Sequence, residues 1–499
     1  MSSILTLDQG TTGSTALVVH QDGAVLGRGY REFTQHFPKP GWVEHDADEI
    51  VAVTLEAARE ALAQAGETPT GIGITNQRET IVVWDRDTMR PVSRAIVWQD
   101  RRTAERCREL KAAGLEADVR QRTGLVLDPY FSATKLEWLL RDADLRSRAE
   151  RGELAFGTIE SWLVASLTGG RVHVTDYSNA ARTLLFNIEQ RTWDETLLQL
   201  FGVPRELLPE VVLSSGVVGE SDASVLGHSL PIAGLVGDQQ GALFGQGCVE
   251  AGQSKNTYGT GAFLLMNTGD ERGHSESGLL TTLGCGPRGE PVFALEGSVF
   301  IAGAAVQWLR DGLQLIDDAS ETEAMARSVA DTNGVHFVPA FVGLGSPHWE
   351  PEARGTITGI TRGTNRAHLV RATLEAMAFS SSDLLSAMVA DAQSAGRNVS
   401  IETLRVDGGA TNNDWLMQFQ ADVLDLPVER PDMVETTALG AAGLAGLALG
   451  VWESVDDFLA GRKFDRFEPQ MSAGEREAAL AGWRRAVDAT LRWARSGEG

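Results

Sequence analysis

Two glycine-rich segments, about half a chain apart, constrain the fold of this 499-residue chain more than any other feature. Residues 5–19 and residues 255–269 each contain a polar or alternating lead-in, a glycine turn and an apolar run. This pattern predicts a strand, a tight turn and a second strand in both places. Two such hairpins at this spacing indicate an internal repeat, and they predict two domains with similar cores.

The segments between and after the two turns alternate between helix and strand patterns. Residues 46–65 are predicted to form an amphipathic helix, with Asp46 or Asp48 as its cap. A second long helix is predicted at 365–390, and a strand, a glycine turn and a helix at 404–424. Alternating strands and helices predict an α/β class.

A glycine-rich stretch at 245–253 separates the two patterned halves of the chain. We therefore expect one domain at 1–248 and a second at 249–499. The apolar run at 438–452 is too short and too rich in glycine to span a membrane, which takes about 20 residues. A packed internal helix is the better interpretation, because its glycines allow another element to approach closely.

Composition excludes several functional classes. The chain carries 44 Lys and Arg against 68 Asp and Glu, a formal net charge of −24, and such a surface repels nucleic acid and anionic lipid. A local phosphate site built from backbone N–H groups is compatible with that charge. Cys107, Cys248 and Cys285 lack CxxC spacing, and the first residues do not resemble a signal peptide. We expect a reduced, cytoplasmic chain without a disulfide or a metal site of thiolates.

The motif DQGTTGST at residues 8–15 indicates chemistry at the first turn. Its glycines allow backbone N–H groups to approach phosphate oxygens, and its threonines add hydroxyl donors. Asp8, at the end of the strand, could hold Mg²⁺ through water, because Mg²⁺ keeps much of its hydration shell in proteins. A plain hairpin explains the same residues, and no Gly-Lys-Ser/Thr follows, which excludes a Walker-type loop.

Three further positions carry candidate catalytic or binding groups, each with an alternative explanation. Asp238 follows an apolar run, where a carboxylate can accept a hydroxyl proton during phosphoryl transfer or can cap the next helix. Adjacent Arg78 and Glu79 between two predicted strands suit a polyol, although a surface ion pair is the simpler interpretation. Tyr130 follows a proline, and an aromatic residue there belongs more often to a core than to a ligand wall.

Three glycine turns in this order, the third at 407–413 before a predicted helix, resemble the ATPase superfamily of actin, Hsp70 and sugar kinases. Longer strings narrow the resemblance to the FGGY family of carbohydrate kinases, and within it to members that phosphorylate glycerol. The similar strings extend over nearly the whole chain, at residues 7–12, 38–46, 73–80, 96–103, 123–135, 170–188, 237–246, 255–269, 278–283, 404–420 and 437–446.

The resemblance implies two duplicated actin-like, ribonuclease H-like α/β domains around a deep cleft. The first would hold glycerol and a phosphate hairpin, and the second the nucleotide. The resemblance also implies ATP- and Mg²⁺-dependent phosphorylation of glycerol to sn-glycerol 3-phosphate, in glycerol uptake and catabolism. It further implies a homodimer or homotetramer whose partners are glycerol and ATP, without nucleic acid or membrane insertion.

The matching strings also imply the site residues. Asp238 matches the catalytic base, and Asp8 matches the carboxylate associated with the metal. The implied glycerol contacts are Arg78, Glu79, Trp98, Tyr130, Asp238, Gln239 and Phe263. The implied nucleotide contacts are Thr11, Thr12, Gly13, Thr15, Thr260, Gly303, Gln307, Gly409 and Asn413. Thr15 departs from the family pattern, in which an arginine contacts nucleotide phosphate, so we expect weaker phosphate binding at that point.

Two alternatives to glycerol phosphorylation are consistent with parts of this pattern. A sibling FGGY kinase would act on another polyol or sugar, although Arg78, Glu79 and Trp98 in their full strings argue against it. An actin-like filament or a chaperone-type ATPase would hydrolyse ATP without any polyol, and it would leave Tyr130 and its neighbours without a role. ADP release measured with and without glycerol separates these hypotheses.

Overall fold

The secondary structure follows the alternation expected from the sequence. The computed structural model describes residues 2–273, 275–394, 401–433 and 435–496. The N-terminal half contains β1 (Ser3–Gln9), β2 (Gly13–His20), β3 (Val25–Glu32), β4 (Gln35–His36), β5 (Glu44–His45), α1 (Ala47–Ala65), β6 (Gly71–Asn76), β7 (Ile81–Asp85), β8 (Ala95–Ile96), α2 (Ala104–Ala112), α3 (Glu116–Thr123), α4 (Ser132–Leu139), α5 (Ala143–Glu150), β9 (Leu154–Thr158), α6 (Ile159–Leu167), β10 (Val174–Asp176), α7 (Tyr177–Ala180), β11 (Phe186–Asn187), β12 (Thr192–Trp193), α8 (Glu195–Phe201), a 3₁₀ helix (Arg205–Leu207), β13 (Glu210–Val212), β14 (Ser215–Glu220), α9 (Ala223–Leu226), β15 (Pro231–Gly237) and α10 (Asp238–Gly245).

The C-terminal half repeats the alternation with longer helices. It contains β16 (Ser254–Tyr258), β17 (Ala262–Gly269), β18 (Leu280–Cys285), β19 (Pro291–Val299), α11 (Gly303–Asp311), α12 (Glu321–Arg327), β20 (His336–Val338), β21 (Thr356–Thr358), α13 (Arg366–Ser394), β22 (Leu404–Asp407), a 3₁₀ helix (Gly409–Asn412), α14 (Asp414–Leu424), β23 (Val428–Pro431), α15 (Thr436–Ala448), α16 (Val455–Leu459), β24 (Phe464–Phe467) and α17 (Ala473–Arg495).

The internal repeat predicted from the two glycine turns is present as two sheets with the same central arrangement. The N-terminal sheet runs in the order β14-β15-β6-β1-β2-β3, and the C-terminal sheet in the order β18-β19-β17-β16-β22-β23-β24. In the first sheet β1 pairs antiparallel with β2 and parallel with β6. In the second sheet β16 pairs antiparallel with β17 and parallel with β22. Each half therefore presents a hairpin beside a parallel strand, and the predicted α/β fold class is confirmed.

Local signals in the sequence account for the helix boundaries that flank these strands. The side chain of Asp46 accepts hydrogen bonds from the backbone N–H groups of Asp48 and Glu49, at 3.0 and 3.1 Å, so Asp46 is the cap of α1. The helix ends at Gly66, whose φ of 68° lies in the left-handed region that glycine adopts readily. The helix predicted at 365–390 corresponds to α13.

The two halves are joined where α10 and α15 cross at glycines. A Cβ atom on Gly440 of α15 would lie 1.9 Å from the carbonyl oxygen of Gly241 in α10, and one on Gly245 would lie 2.0 Å from that of Thr436. A Cβ on Gly73 of β6 would lie 2.2 Å from the carbonyl oxygen of Ala441. Helix α15 therefore packs against the N-terminal sheet, although it belongs to the C-terminal half of the sequence. It is the packed internal helix that the run at 438–452 predicts.

Apolar cores lie under both sheets and also connect the halves. One core beneath α4 and β9 of the N-terminal half includes Leu280, Leu283 and Phe293 of the C-terminal half. The division into 1–248 and 249–499 stays a prediction, since it falls in the turns between α10 and β16. Among the described residues, none of the helices combines the length and apolar character that a membrane span requires.

We expect Gly440→Ala to destabilise the protein, because the added methyl group would meet the Gly241 carbonyl and force the two helices apart. Overpacking of this kind costs about 1–3 kcal/mol of unfolding free energy. The measurement is urea denaturation followed by circular dichroism. The matched control is Gly474→Ala in α17, where the new Cβ would meet open space. Equal stabilities of the two variants would contradict the close crossing of α10 and α15.

Candidate active site

Arg78 and Glu79, in the turn between β6 and β7, are buried rather than exposed. Their relative exposures are 2% and 1%, so the interpretation as a surface ion pair is wrong. Glu79 also has a φ of 55°, in the left-handed region that non-glycine residues seldom adopt. A buried guanidinium and a buried carboxylate require partners, and the site is built from those partners.

The Arg78 guanidinium connects residues from both halves of the chain. Its Nη1 lies 2.6 Å from Oε2 of Glu296 in β19, and its Nε lies 3.2 Å from Oδ1 of Asp238 in α10. Nη1 also donates to Oε1 of Gln240 at 3.3 Å, and Nη2 donates to the Tyr130 hydroxyl at 3.4 Å. Of the expected acceptor-binding groups, Asp238, Tyr130 and Glu79 therefore contact this one cation, Glu79 with its Oε1 3.7 Å from Nε.

Arg182 completes a chain of alternating charges behind Arg78. Its Nε donates to Oε1 of Glu79 at 2.6 Å, and its Nη2 donates to Oε1 of Glu296 at 2.8 Å. Burial opposes ionisation of Glu296, but the charges of Arg182 and Arg78 outweigh it and lower the pKa of that carboxyl to about 2. Glu296 is therefore the fixed anion that holds both guanidinium groups in place.

Asp238 is the first residue of α10, at the point where the polar cluster opens to solvent. Its side chain is 31% exposed, whereas that of Arg78 is 2% exposed. Gly237 is the N-cap of α10, so the alternative interpretation of Asp238 as the helix cap is wrong. Burial nevertheless raises the pKa of the Asp238 carboxyl, and the neighbouring Arg78 only partly offsets that effect. A carboxylate with a raised pKa accepts a proton more readily.

Two aromatic side chains of the N-terminal half lie beside the polar cluster, because the Tyr130 hydroxyl contacts Arg78 and Trp98 contacts Tyr130. The rings of Trp98 and Tyr130 meet edge to face, with centroids 5.4 Å apart. The indole N–H of Trp98 donates to the hydroxyl of Thr11 at 2.9 Å, which connects this wall to the first glycine turn. On the other side, Phe263 of β17 pairs with Ser298 in the register that also pairs Leu265 with Glu296. Phe263 therefore shares the sheet face of Glu296.

Lys255 is a buried cation next to Gln239 and Asp238. Its Nζ donates to Oε1 of Gln239 at 2.5 Å and to the Thr257 hydroxyl at 2.7 Å. Burial lowers the pKa of Lys255 to about 8. Sequence reasoning assigned no role to this lysine.

Arg182, Gln240 and Glu296 were likewise not predicted as site residues from the sequence. A usable signal was present for Glu296, because it is the only charged residue in the apolar strand sequence PVFALEGSV of β19. An ionised group inside a buried strand must find a partner of opposite charge.

The first glycine turn, at the junction of β1 and β2, has the hairpin geometry predicted for it. Gly10 N donates to the carbonyl oxygen of Gly13 at 2.9 Å, Thr12 is exposed, and a Cβ on Gly13 would lie 2.7 Å from the Arg31 carbonyl oxygen. Asp8 and Thr15 are direct partners in the β1–β2 register, so their side chains share one face of the sheet.

Asp8 lies near two further carboxyl groups. Its burial, and then the charges of Asp238 and Glu435, raise the pKa of the Asp8 carboxyl to about 7. No group of three or more His, Cys, Asp or Glu in the described part of the chain is arranged to hold a metal ion by itself. One or two carboxylates together with phosphate oxygens are the usual ligands of Mg²⁺.

The second turn, between β16 and β17, is joined to the start of α11. The backbone N–H groups of Ala302 and Ala304 donate to the Thr260 carbonyl at 2.9 and 3.1 Å, and Gly303 N donates to the Gly259 carbonyl at 3.0 Å. A Cβ on Gly303 would lie 2.6 Å from the Gly259 oxygen, which explains the glycine there. Gln307 lies one helical turn further and is exposed.

The third turn differs in detail from what the sequence suggests. Gly408 has a φ of 90°, and a Cβ there would lie 2.3 Å from the Tyr258 carbonyl oxygen, so it is the glycine that the backbone requires. Gly409 next to it faces open space and is exposed, as a ligand-binding residue can be. The Asn413 side chain caps α14, accepting from Leu416 N at 2.9 Å, and donates to the Thr322 hydroxyl at 3.2 Å.

Comparisons with known proteins agree with this architecture. Residues 3–245 match the N-terminal domain of the FGGY family of carbohydrate kinases, and residues 254–449 match its C-terminal domain. A glycerol kinase of Carboxydothermus hydrogenoformans is 56% identical over 496 residues, which cover 98% of both chains. Glycerol kinase 2 of Thermotoga maritima is 54% identical, with 99% of both chains covered. The crystal structure of Plasmodium falciparum glycerol kinase with ADP matches with a TM-score of 0.92 at 36% identity, over 98% of both chains.

We expect Glu296→Gln to destabilise the protein strongly, because it leaves two buried guanidinium groups short of one negative charge. Breaking a buried ion pair in this way costs about 3–5 kcal/mol of unfolding free energy near neutral pH. The matched control is Glu468→Gln, which breaks the exposed pair with Arg466 (Nε–Oε1 2.6 Å) and should cost at most about 1 kcal/mol. If urea denaturation showed similar losses of unfolding free energy in the two variants, the result would count against the bridging role of Glu296.

The cost of Glu296→Gln should also depend on pH. The folded-state pKa of Glu296, about 2, lies below its ordinary value of 4.5. Its stabilising contribution is therefore complete above pH 4.5 and is lost progressively as the pH falls toward 2. The difference in unfolding free energy between wild type and variant, measured by urea denaturation, should become smaller as the pH is lowered from about 5 to about 3. A constant difference would show that the charge of Glu296 is not what stabilises the fold.

Proposed function

The chain belongs to the FGGY family of carbohydrate kinases, and we propose that it transfers the γ-phosphoryl group of ATP to a terminal hydroxyl of glycerol. The product is sn-glycerol 3-phosphate, formed in glycerol uptake and catabolism. The observation that carries the proposal is the 3.2 Å contact between Arg78 and Asp238, at the partly exposed end of a buried polar cluster. Relatives that bear the name glycerol kinase, at 54–56% identity over nearly the whole chain, support glycerol as the acceptor.

Glycerol binding uses the polar cluster and its aromatic walls. Arg78, Glu79, Tyr130, Asp238 and Gln239 bind the hydroxyl groups, and the rings of Trp98 and Phe263 lie against the carbon chain. An acceptor that lacks one of these hydroxyls leaves buried polar groups unpaired, and the enzyme discriminates against it for that reason.

Asp238 acts as the base. Its carboxylate orients the terminal hydroxyl and accepts its proton late in the reaction, when the hydroxyl oxygen bonds to the γ-phosphorus and the bond to the departing ADP oxygen breaks. Arg78, which contacts Asp238, keeps the carboxylate oriented before the proton arrives. Most of the acceleration comes from alignment of acceptor and phosphoryl group and from neutralisation of charge.

ATP occupies the glycine turns of both halves. The hydroxyls and backbone N–H groups of the first two turns face the phosphates, and the start of α11 and the third turn hold the rest of the nucleotide. The proposed contacts are Thr11, Thr12, Gly13, Thr15, Thr260, Gly303, Gln307, Gly409 and Asn413. The ADP in the similar Plasmodium falciparum structure supports the use of an adenine nucleotide.

Asp8 is the carboxylate proposed to associate with Mg²⁺. Burial of Asp8, and then the charges of Asp238 and Glu435, raise its pKa, and a carboxylate in such surroundings fits a position that a cation would stabilise. When bound, Mg²⁺ would neutralise charge on the phosphate oxygens. In this proposal the first domain, 1–248, carries the acceptor site, and the second, 249–499, carries most of the nucleotide site.

The cellular setting is also part of the proposal. We assign the chain to the cytoplasm, and the three buried cysteines, all free, support a reducing compartment. The resemblance supports a homodimer or homotetramer, which sedimentation velocity measures directly.

The test of the proposed function is ADP release measured with glycerol, with other polyols, with five-carbon ketoses and without an acceptor. We expect turnover to depend on glycerol and to fall for every other acceptor at equal concentration. Preference for another polyol or a sugar would identify a sibling kinase. Equal ADP release without any acceptor would identify an ATPase of a different class and overturn the proposal.

We expect Asp238→Asn to lower kcat at least about 100-fold, because asparagine keeps the size of the side chain but cannot take the proton. The affinity for ADP, measured by calorimetry, should stay within a few-fold of wild type. Asp488→Asn, at an exposed position of α17, is the control for loss of one carboxylate. Activity of Asp238→Asn within a few-fold of wild type would rule out its role as the base.

We expect Thr15→Arg to lower the KM for ATP without a change in acceptor preference. The new guanidinium would lie on the sheet face of Asp8 and supply a charge-assisted contact to phosphate, worth at most about 1.5–3 kcal/mol. Thr192→Arg, on an exposed edge of β12, adds the same charge elsewhere and should leave KM unchanged. An unchanged KM in Thr15→Arg, or an equal fall in both variants, would contradict this expectation.

A further inference from the structure

Gln239 directly follows the proposed base Asp238, and in the described part of the chain only the oxygen of its side-chain amide makes a hydrogen bond. Its backbone N–H donates to Oδ1 of Asp238 at 2.7 Å, and its side chain is only partly buried. Its Oε1 receives the Lys255 ammonium at 2.5 Å. Within the described residues, the amide nitrogen of Gln239 has no hydrogen-bond partner. The neighbouring Gln240 differs, because its Nε2 donates to the Leu283 carbonyl at 3.0 Å.

The chemistry of the two groups fixes the direction of the amide. A lysine ammonium has three donors and no acceptor, so it can bond only to the oxygen of a glutamine amide. The amide nitrogen, with its two N–H donors, must then be directed away from Lys255. Free glutamine amides can exchange the positions of oxygen and nitrogen by rotation about the last side-chain bond, and the contact with Lys255 prevents that exchange.

The surroundings keep Lys255 in place and charged at neutral pH. The lysine is fully buried, and the hydroxyl of Thr257, two residues further along β16, accepts a second hydrogen bond from it at 2.7 Å. Burial lowers its pKa to about 8; the carboxylates of Asp407, Asp238 and Glu296 favour the ammonium form, and Arg78 opposes it. Lys255 thus lies on the strand that leads into the second glycine turn, yet it holds a residue of α10.

We propose that Lys255 is a positioning residue of the acceptor site. It fixes the Gln239 amide with its N–H donors toward the acceptor, so that Gln239 recognises an acceptor oxygen and cannot present its own oxygen there. Because β16 carries Lys255 and leads into the second glycine turn, the same contact connects the acceptor-binding amide to the nucleotide-binding half. This inference rests on the proposed function.

The test is a double-mutant cycle on the KM for glycerol, from ADP release at saturating ATP. Gln239→Leu should raise KM about tenfold through the lost hydrogen bond, and Lys255→Met should raise it by a similar factor through the freed amide. The double variant should be no worse than Gln239→Leu alone, because both changes remove one and the same interaction. If the KM of the double variant rose by the product of the two single-variant factors, the proposal would be overturned.

Lys135→Met is the matched control, because Lys135 is also fully buried with a pKa lowered to about 8. Its Nζ donates to the carbonyl oxygens of Tyr130 and Phe131, at 2.7 and 3.1 Å, and not to Gln239. Its effect on KM should therefore multiply with that of Gln239→Leu. If the effects of Lys135→Met and Gln239→Leu on KM also failed to multiply, a general loss of structure would explain both results, and this would count against the proposal.

Gln239→Glu keeps the test decisive if Lys255→Met fails to fold. The carboxylate would pair with Lys255, so the melting temperature should be maintained, but the group would present only acceptors and KM should rise at least about tenfold. A KM within twofold of wild type would overturn the proposal. Absence of glycerol-dependent ADP release in the wild type would instead contradict the proposed function. The cycle would then be measured with the acceptor found in the substrate panel, and the same non-additivity would decide the role of Lys255.

Discussion

The ion pairs of Glu296 with Arg78 and Arg182 are the interaction on which the rest of the site depends. Glu296 comes from β19 in one half of the chain, and both arginines come from the other half. Charges this deeply buried are tolerated only when each has its counterion, so the two halves must meet in one relative position for the ions to be paired. Asp238, Glu79 and Tyr130 in turn contact the Arg78 guanidinium.

In this arrangement, one set of groups stabilises the acceptor site and another set is available to bind the acceptor. The charges of the two arginines and Glu296 are paired without any ligand, although Nη1 of Arg182 has no hydrogen-bond partner among the described residues. The groups at its open end, Asp238 and the Gln239 amide, keep unused hydrogen-bonding capacity that an acceptor can occupy. A preorganised site of this kind does not have to reorder its charges when substrate binds, which is the physical basis of electrostatic catalysis.

Much of the fold could be predicted from the sequence, because its signals are local. Glycine turns between apolar strands indicated the repeated hairpins, and Asp46 indicated the start of α1 by the chemistry of helix capping. The burial of Arg78 and Glu79 could not be predicted in this way, since two adjacent residues of opposite charge between predicted strands favour a surface ion pair. The partners that allow this burial, Glu296 and Arg182, are more than a hundred residues distant in sequence. The conformation at Gly408 likewise depends on the backbone of Tyr258 in a different strand.

The packing of α15 against β6 and α10 has a consequence for biosynthesis. The N-terminal sheet is complete once β15 has left the ribosome, but the helix that covers one of its faces is encoded near the end of the chain. Nascent chains emerge slowly compared with the collapse of secondary structure, so the uncovered face of β6 stays in contact with solvent, or with whatever else is available, while β16 to β23 are still being made. The late position of α15 in the sequence therefore creates a period in which the uncovered sheet face can aggregate. Selection on the folded enzyme alone would not remove this risk.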